Sequence, residues 1–196
     1  MQEEGVIKFK ANWIKAAPPD FDDIKELNEW RDKLYDAKLI GKNDDGIGYG
    51  NISTRFNANN FIITGSSTGK LPKLGAEHYT LVTAFDLDKN TVTNVGAVIA
   101  SSESLTHAVI YESHEKVNAV IHVHHFTLWK KLLQMLPSTG KDIEYGTPAM
   151  AKEIQRLFEE SNLVEKKIFA MAGHEGGIVS FGKNLTEAGQ KLFSML

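Results

Sequence analysis

Three histidines are the residues of this sequence best suited to bind a metal ion. His122 and His124 stand two positions apart in a mostly apolar segment, residues 118–125. Side chains on a strand alternate between its two faces, so these imidazoles point to one side and His125 points to the other. A third imidazole is available from His174, which lies among glycines just after a later predicted strand. Three neutral histidines with an open fourth position are the ligand set of a catalytic zinc ion.

A less specific interpretation of the histidine pair is a polar patch in which the imidazoles satisfy each other's hydrogen bonds. A single buried histidine is usually explained in that way. The paired spacing on one strand, together with a distant histidine between glycines, favours the metal site instead. The remaining histidines are predicted to be structural or surface residues: His78, His107, His114 and His125.

A second segment, residues 64–70, is suited to bind an anion. It combines hydroxyl side chains with glycines, which allow backbone N–H groups to approach a ligand closely. It is not a P-loop, because only three residues separate its glycines and Leu71 follows its lysine. The glycines at positions 46, 48 and 50 also lack the dinucleotide-binding spacing and lead into a strand. Both nucleotide-binding interpretations are therefore rejected.

Ser101, Ser102 and Glu103 come directly before a predicted helix at residues 104–113. Serine hydroxyls and unpaired N–H groups at a helix N-terminus can face an anion. An ordinary helix cap with an acidic first turn explains the same residues equally well. The local sequence therefore leaves an anion site and a simple cap as two open interpretations.

Helices and strands are mixed along the chain that must position these residues. Apolar residues spaced three or four apart between positions 24 and 34 follow Pro18-Pro19-Asp20 and predict an amphipathic first helix. The other predicted elements are strands at 51–56, 61–64, 81–86, 91–93, 117–124 and 167–171, and helices at 104–113, 149–160 and 185–195. Hairpin turns among the early strands indicate a largely antiparallel sheet. We expect a single α/β domain that comprises residues 1–196.

The composition excludes several classes of function and partner. The 22 lysines and arginines against 25 acidic residues give a formal charge of -3, which argues against nucleic-acid binding. There is no cysteine, so any metal ion must be bound by histidine, carboxylate or water. The N-terminal region carries Glu3, Glu4, Lys8 and Lys10 and has no signal-peptide core, and no segment reaches membrane-spanning length. We expect a cytoplasmic protein with neither a nucleic-acid nor a membrane partner.

Five short motifs in a fixed order resemble the class II aldolase/adducin family. They are Gly50-Asn51-Ile52-Ser53, Thr68-Gly69, Ser101-Ser102-Glu103, His122-Val123-His124 and His174. The resemblance extends over most of the chain, and each motif supplies a different chemical part. It implies a three-layer α/β/α fold and a homotetramer with active sites between subunits.

The resemblance to sugar-phosphate aldolases of this family, such as the fuculose-phosphate aldolases, also implies residue roles. Zn²⁺, one ion per subunit, would bind to the three histidines and stabilise the enediolate formed when a carbon–carbon bond is cleaved. Glu103 would be the catalytic acid–base. The substrate phosphate would be bound by five residues, with Ser66 or Ser67 able to share the role of Thr68: Asn51, Thr68, Gly69, Ser101 and Ser102.

The leading hypothesis is a lyase that acts on a small phosphorylated ketose. Two alternatives use the same site for dehydration or for epimerisation of a sugar phosphate, and another divalent metal could replace zinc. A further alternative is a non-catalytic, adducin-like interaction module. Such modules are expected to lack the histidines, whereas this chain retains all three together with Glu103.

Overall fold

The structure, a computed structural model, describes residues 5–21 and 24–196. Its strands are β1 Lys10–Lys15, β2 Gly41–Lys42, β3 Gly48–Tyr49, β4 Asn51–Asn57, β5 Asn60–Thr64, β6 Tyr79–Asp86, β7 Thr91–Gly96, β8 Ala119–His124, β9 Ile168–Ala170 and β10 Gly177–Gly182. Its α-helices are α1 Ile24–Asp36, α2 Ser104–Ser113, α3 Phe126–Leu132, α4 Pro148–Glu160, α5 Leu163–Lys166 and α6 Leu185–Phe193, and a short 3-10 helix spans Ala76–His78. Residues 1–4, Asp22 and Asp23, which include part of the predicted start of α1, lie outside the described residues.

Within the described residues, eight strands form one sheet in the order β1-β7-β6-β5-β4-β8-β10-β9. Every neighbouring pair is antiparallel except β1 and β7, which are parallel. Strands β2 and β3 form a separate two-stranded ribbon. The prediction of a largely antiparallel sheet is therefore confirmed.

Helices cover both faces of the sheet. Successive residues of the central strands point to opposite faces, and those on both faces are apolar and need to be buried. On β8, Val120 belongs to the core beneath α2 and α4, whereas Ile121 belongs to the core beneath α1, α3 and α6. On β5, Phe61 and Ile63 face the first core and Ile62 faces the second. The result is the expected three-layer α/β/α arrangement. Of the helices in the described ranges, none has both the length and the apolar character needed to cross a bilayer.

The predicted hairpins, the buried strand and the four predicted helices are all present, with ends shifted by a few residues. Among the described residues, seven elements have no counterpart among the predictions: β1, β2, β3, the 3-10 helix, α3, α5 and β10. β1 is an edge strand that is mostly exposed, so it lacks the alternating apolar pattern of a half-buried strand. α3 has only seven residues and begins shortly after β8, and β10 begins and ends with glycine, which is unfavourable in strands.

The position of β8 between β4 and β10 determines where the histidines lie. In these antiparallel pairings His122 lies opposite Asn51 of β4, and His124 lies opposite Gly177 of β10. Both histidines share the face of Val120, which is covered by α2. The predicted alternation of the histidines thus places them beside the beginning of β4, the beginning of β10 and the N-terminus of α2.

We predict that Gly50→Ala, at the entry to β4, destabilises the fold more than Gly46→Ala does. Both glycines have positive φ, +78° and +83°, which costs an alanine about 1–2 kcal/mol. A Cβ at Gly50 would also lie 2.7 Å from Ile40 Cγ1, whereas a Cβ at Gly46 has open space. Overpacking adds about 1–3 kcal/mol. Urea unfolding of the two variants measures the difference, and equal losses would show that the entry to β4 is not tightly packed.

Candidate metal centre and anion site

His122, His124 and His174 converge although 50 residues separate the last two in sequence. His124 Nε2 and His174 Nε2 are 3.0 Å apart, and the rings of His122 and His124 have centroids 5.0 Å apart. One ligand nitrogen from each of the three lies within 4.8 Å of the others. The structure therefore brings together the three predicted ligands in a cluster that could hold a metal ion.

His174 is carried by the loop between β9 and β10, and glycines bring this loop close to its neighbours. A Cβ at Gly173 would lie 2.1 Å from the carbonyl oxygen of Ile143, so no larger residue fits without a shift of the backbone. Gly176 has φ of +81°, and a Cβ at this position would lie 3.4 Å from His124 Nδ1. These glycines allow the loop to fold over the end of β8, as their pattern in the sequence predicts.

Burial keeps the three imidazoles neutral. It is the main cause that lowers the pKa of His124 to about 4 and the pKa values of His122 and His174 well below their usual range. The proximity of His124 lowers the other two pKa values further. Neutral imidazole is the form that binds a metal ion.

The surroundings of His122 fit a metal ligand. In the described part of the chain its Nε2 is buried and has no hydrogen-bond partner, whereas its Nδ1 lies 3.3 Å from the Asn51 amide nitrogen. An asparagine amide can present either its nitrogen or its oxygen to a neighbour. With the oxygen towards Nδ1–H, Asn51 would orient the ring and leave the Nε2 lone pair for a metal ion.

Glu103 places a carboxylate next to this cluster. Its Oε1 lies 3.7 Å from His174 Nε2, and its Oε2 accepts a 2.6 Å hydrogen bond from the hydroxyl of Thr106. Burial raises the pKa of Glu103 to about 7, against the opposing effects of the Thr106 hydrogen bond and the charge of Lys8. Since His174 is neutral, the contact is not an ion pair. A carboxyl group with this pKa exists in both protonation states near neutral pH, which suits general acid–base chemistry.

The loop that carries Thr68 and Gly69 is held between two other parts of the proposed anion site. On one side Gly65 forms a bridge with Ala100, the residue before Ser101. On the other side a Cβ at Gly69 would lie 2.5 Å from the Tyr49 carbonyl oxygen, two residues before Asn51. The loop is thus adjacent to both of the other segments that were predicted to bind phosphate.

Ser101 and Ser102 immediately precede α2, and Glu103 is its N-cap residue. The Glu103 side chain does not cap the helix, and the Glu103 N–H donates to the Ser101 hydroxyl over 3.4 Å. Both serines are buried. In the described part of the chain, no side chain therefore caps the first turn of α2, because the Ser101 hydroxyl accepts from the N-cap residue itself, and the role of both serines in anion binding stays a prediction.

Arg31 of α1 forms hydrogen bonds to the loop that carries Thr68 and Gly69, which we call the anion loop. No sequence pattern identified this arginine as part of the site. Its guanidinium is completely buried and donates to the carbonyl oxygens of Thr68, Gly69 and Pro72 over 3.0–3.2 Å. Burial lowers its pKa from the usual arginine value. An arginine among the polar positions of an amphipathic helix gives no signal that would distinguish it from a surface residue.

Tyr145 is a second residue of the site that the patterns did not identify. It is fully buried, and its ring centroid lies 4.4 Å from that of His174.

Among the other histidines, His107 is buried next to Ser53 and His125 caps α3 by accepting from the Leu128 N–H. These positions agree with the structural roles expected for them.

The family model for the class II aldolase and adducin N-terminal domain matches residues 37–195, so this chain belongs to that family. A search of curated protein sequences gives no significant match. The fold of solved family structures nevertheless covers most of the chain.

Three solved structures illustrate the similarity of fold. L-fuculose-1-phosphate aldolase from Thermus thermophilus is 18% identical, with a TM-score of 0.63 and 87% of each chain covered. YgbL from Escherichia coli, described as a putative aldolase/epimerase/decarboxylase, is 17% identical, with a TM-score of 0.64 and coverage of 87% of this chain and 83% of its own. A sugar-phosphate aldolase from Thermotoga maritima is 16% identical, with a TM-score of 0.64 and coverage of 88% of this chain and 89% of its own.

We predict that the purified protein binds one divalent metal ion per chain and that His124→Ala abolishes this binding. The neighbouring variant His125→Ala is the control, because that ring follows β8, caps α3 and is not part of the histidine cluster. It is expected to lose about 1 kcal/mol of stability but to keep the metal ion. Elemental analysis after reconstitution with zinc measures the metal content of both variants. Full occupancy in His124→Ala would refute the assignment.

Proposed function

We propose that this protein is a metal-dependent aldolase that forms or cleaves a carbon–carbon bond in a small phosphorylated ketose. The observation that carries the proposal is the buried carboxylate of Glu103, 3.7 Å from His174 in a cluster of three neutral histidines. The sugar-phosphate aldolases among the similar structures support it. The retained histidines and Glu103 argue against a non-catalytic adducin-like module.

His122, His124 and His174 would hold the metal ion, for which we propose zinc. A divalent ion bound there supplies a positive charge that polarises the substrate carbonyl and stabilises the negative charge that develops on its oxygen. The chain contributes neutral ligands, which need not lose a proton before they bind. It also keeps most water away from two of the ligands, because His122 and His174 are at most 1% exposed, whereas His124 is partly exposed. Charges interact more strongly in such a largely buried site than in water.

Glu103 would move the proton between the substrate and its own carboxylate. Its Oε1 faces the histidine cluster without a hydrogen-bond partner in the described residues, whereas Thr106 fixes the other oxygen. This arrangement leaves one oxygen to take a proton from the carbon beside the carbonyl, or to return it. Because burial brings the pKa of Glu103 to about 7, the proton is neither held too tightly nor released too readily at neutral pH.

We further propose that Asn51, Thr68, Gly69, Ser101 and Ser102 bind the substrate phosphate. Ser102 lies one residue before Glu103, so a phosphate bound at the start of α2 would fix the distance between the reacting carbon and the carboxylate. The partial positive charge of the helix N-terminus favours an anion there. The homotetramer implied by the family resemblance and the cytoplasmic location expected from the sequence belong to this proposal.

Ser102→Asp is predicted to raise KM for a phosphorylated substrate without a matching loss of metal. A carboxylate about 4 Å from a phosphate at a protein surface repels it by several kcal/mol, so a rise of roughly tenfold or more is expected. Ser194→Asp makes the same change in the C-terminal region, away from the site, and serves as the control. Steady-state kinetics with candidate ketose phosphates measures KM. An unchanged KM in Ser102→Asp would count against this phosphate site.

Glu103→Gln is predicted to retain metal and phosphate binding but to slow proton transfer. General acid–base groups contribute about 10²–10⁴-fold in rate, and a loss in that range is expected. NMR in D₂O follows the exchange of the proton beside the carbonyl of dihydroxyacetone phosphate. Glu112→Gln, exposed on the same helix, is the matched control.

The same experiment separates the competing reactions. Unchanged exchange in Glu103→Gln would mean that another group acts as the base. Absence of exchange in the wild-type protein, with metal bound, would contradict the aldolase proposal and favour dehydration, another donor substrate or a non-enzymatic role.

A further inference from the structure

An N-terminal segment, residues 6–9, reaches the candidate site although it lies outside the part matched by the family model. Phe9 is buried in the core beneath α2 and α4. The Asn90 amide donates to the Lys8 carbonyl over 2.9 Å, and the Lys10 N–H donates to the Asn90 carbonyl over 2.8 Å. The backbone of this segment therefore has a defined position along the turn that precedes β7.

Tyr145 connects this segment to the histidine cluster. Its hydroxyl donates to the Val6 carbonyl over 3.4 Å, and its ring packs against His174 at a centroid distance of 4.4 Å. Lys8 also contacts this ring, with its Nζ 4.1 Å from the ring centroid. Two consecutive contacts thus lead from the Lys8 ammonium to a proposed metal ligand.

Lys8 also lies beside the serines at the start of α2. A Cβ at Gly146 would be 3.5 Å from Lys8 Cβ and 3.3 Å from the carbonyl oxygen of Ser102. The ammonium forms a 3.1 Å ion pair with Glu144, whose side chain is 59% exposed. After the dominant effect of burial, the charge of Lys8 also influences the pKa values of Glu103 and His174. The ammonium is therefore held between a solvent-facing carboxylate and the interior of the site.

We propose that Lys8 is a specificity-determining residue whose ammonium leaves Glu144 and binds an anionic group of the substrate, a phosphate or a carboxylate. This inference rests on the proposed function, since it concerns the substrate of the same site. The other proposed phosphate donors are neutral hydroxyl, amide and backbone groups, and the hydrogen bonds of Arg31 go to the carbonyl oxygens of the loop. Lys8 supplies the positive charge that they lack.

Physical chemistry favours such an exchange of partners. An ion pair with a solvent-exposed carboxylate such as Glu144 contributes little, because solvent screens it and two side chains must be ordered. A charge-assisted hydrogen bond to an anion that is excluded from water is stronger. The cation–π contact with Tyr145 keeps the ammonium next to the ring that packs against His174. An anionic substrate can therefore displace Glu144, and a neutral sugar cannot.

The test compares three variants of the zinc-loaded protein: Lys8→Gln, Glu144→Gln and the control Lys10→Gln, which removes a charge from an exposed position two residues away. Calorimetric titration with inorganic phosphate and with glycolate distinguishes a phosphate group from a carboxylate group. Lys8→Gln is expected to weaken the binding of at least one of them roughly tenfold, the effect of losing one hydrogen bond to a charged group. Lys8→Arg is expected to restore most of the affinity.

Glu144→Gln makes the test specific. If Glu144 competes with the substrate for Lys8, its removal strengthens anion binding. If the ion pair only fixes the N-terminal segment, Glu144→Gln and Lys8→Gln weaken binding together, and the proposal is wrong. Equal losses in Lys8→Gln and Lys10→Gln, or no anion binding in the wild-type protein, also overturn it. Anion binding that depends on Lys8 without proton exchange would refute the aldolase reaction but not the role of Lys8.

Discussion

Strand β8 is paired on both sides, by β4 and by β10, and a shift of one residue in either pairing would turn His122 and His124 towards the opposite core. Val123, the apolar residue between them, opposes such a shift, because it would then leave its own core for the position of the histidines. The same register brings Asn51 opposite His122 and the His174 loop next to His124. The position of every proposed metal ligand therefore depends on this central antiparallel pairing.

Burial of the site has opposite effects on stability and on chemistry. The imidazoles of His122 and His174 and the carboxyl group of Glu103 lose almost all contact with water. Buried polar atoms such as His122 Nε2 and Glu103 Oε1 cost stability when no partner is present. The same burial keeps the ligands neutral and raises the pKa of Glu103 into the range useful for proton transfer. The two large apolar cores on the faces of the sheet offset this cost, so the fold can hold polar atoms ready for a metal ion and a substrate.

The N-terminal part of the chain contributes more to the site than the family match indicates. Arg31 of α1 fixes the carbonyl groups of the anion loop, so the N–H groups of that loop can face away from the helix. Lys8 approaches from another direction, across Tyr145. Both residues precede residue 37, where the match begins.

The amino-acid sequence by itself determined those features that depend on local periodicity or on short motifs. The alternation of His122 and His124 on one strand, the helix after Ser102 and the mixed, largely antiparallel sheet all follow from regularities that span few residues. Only the tertiary structure placed Arg31 beneath the anion loop and Tyr145 against a histidine. Those contacts join residues that are far apart in the sequence, through packing that no local pattern encodes. Burial, which sets the pKa of each group in the site, is likewise a property of the assembled layers.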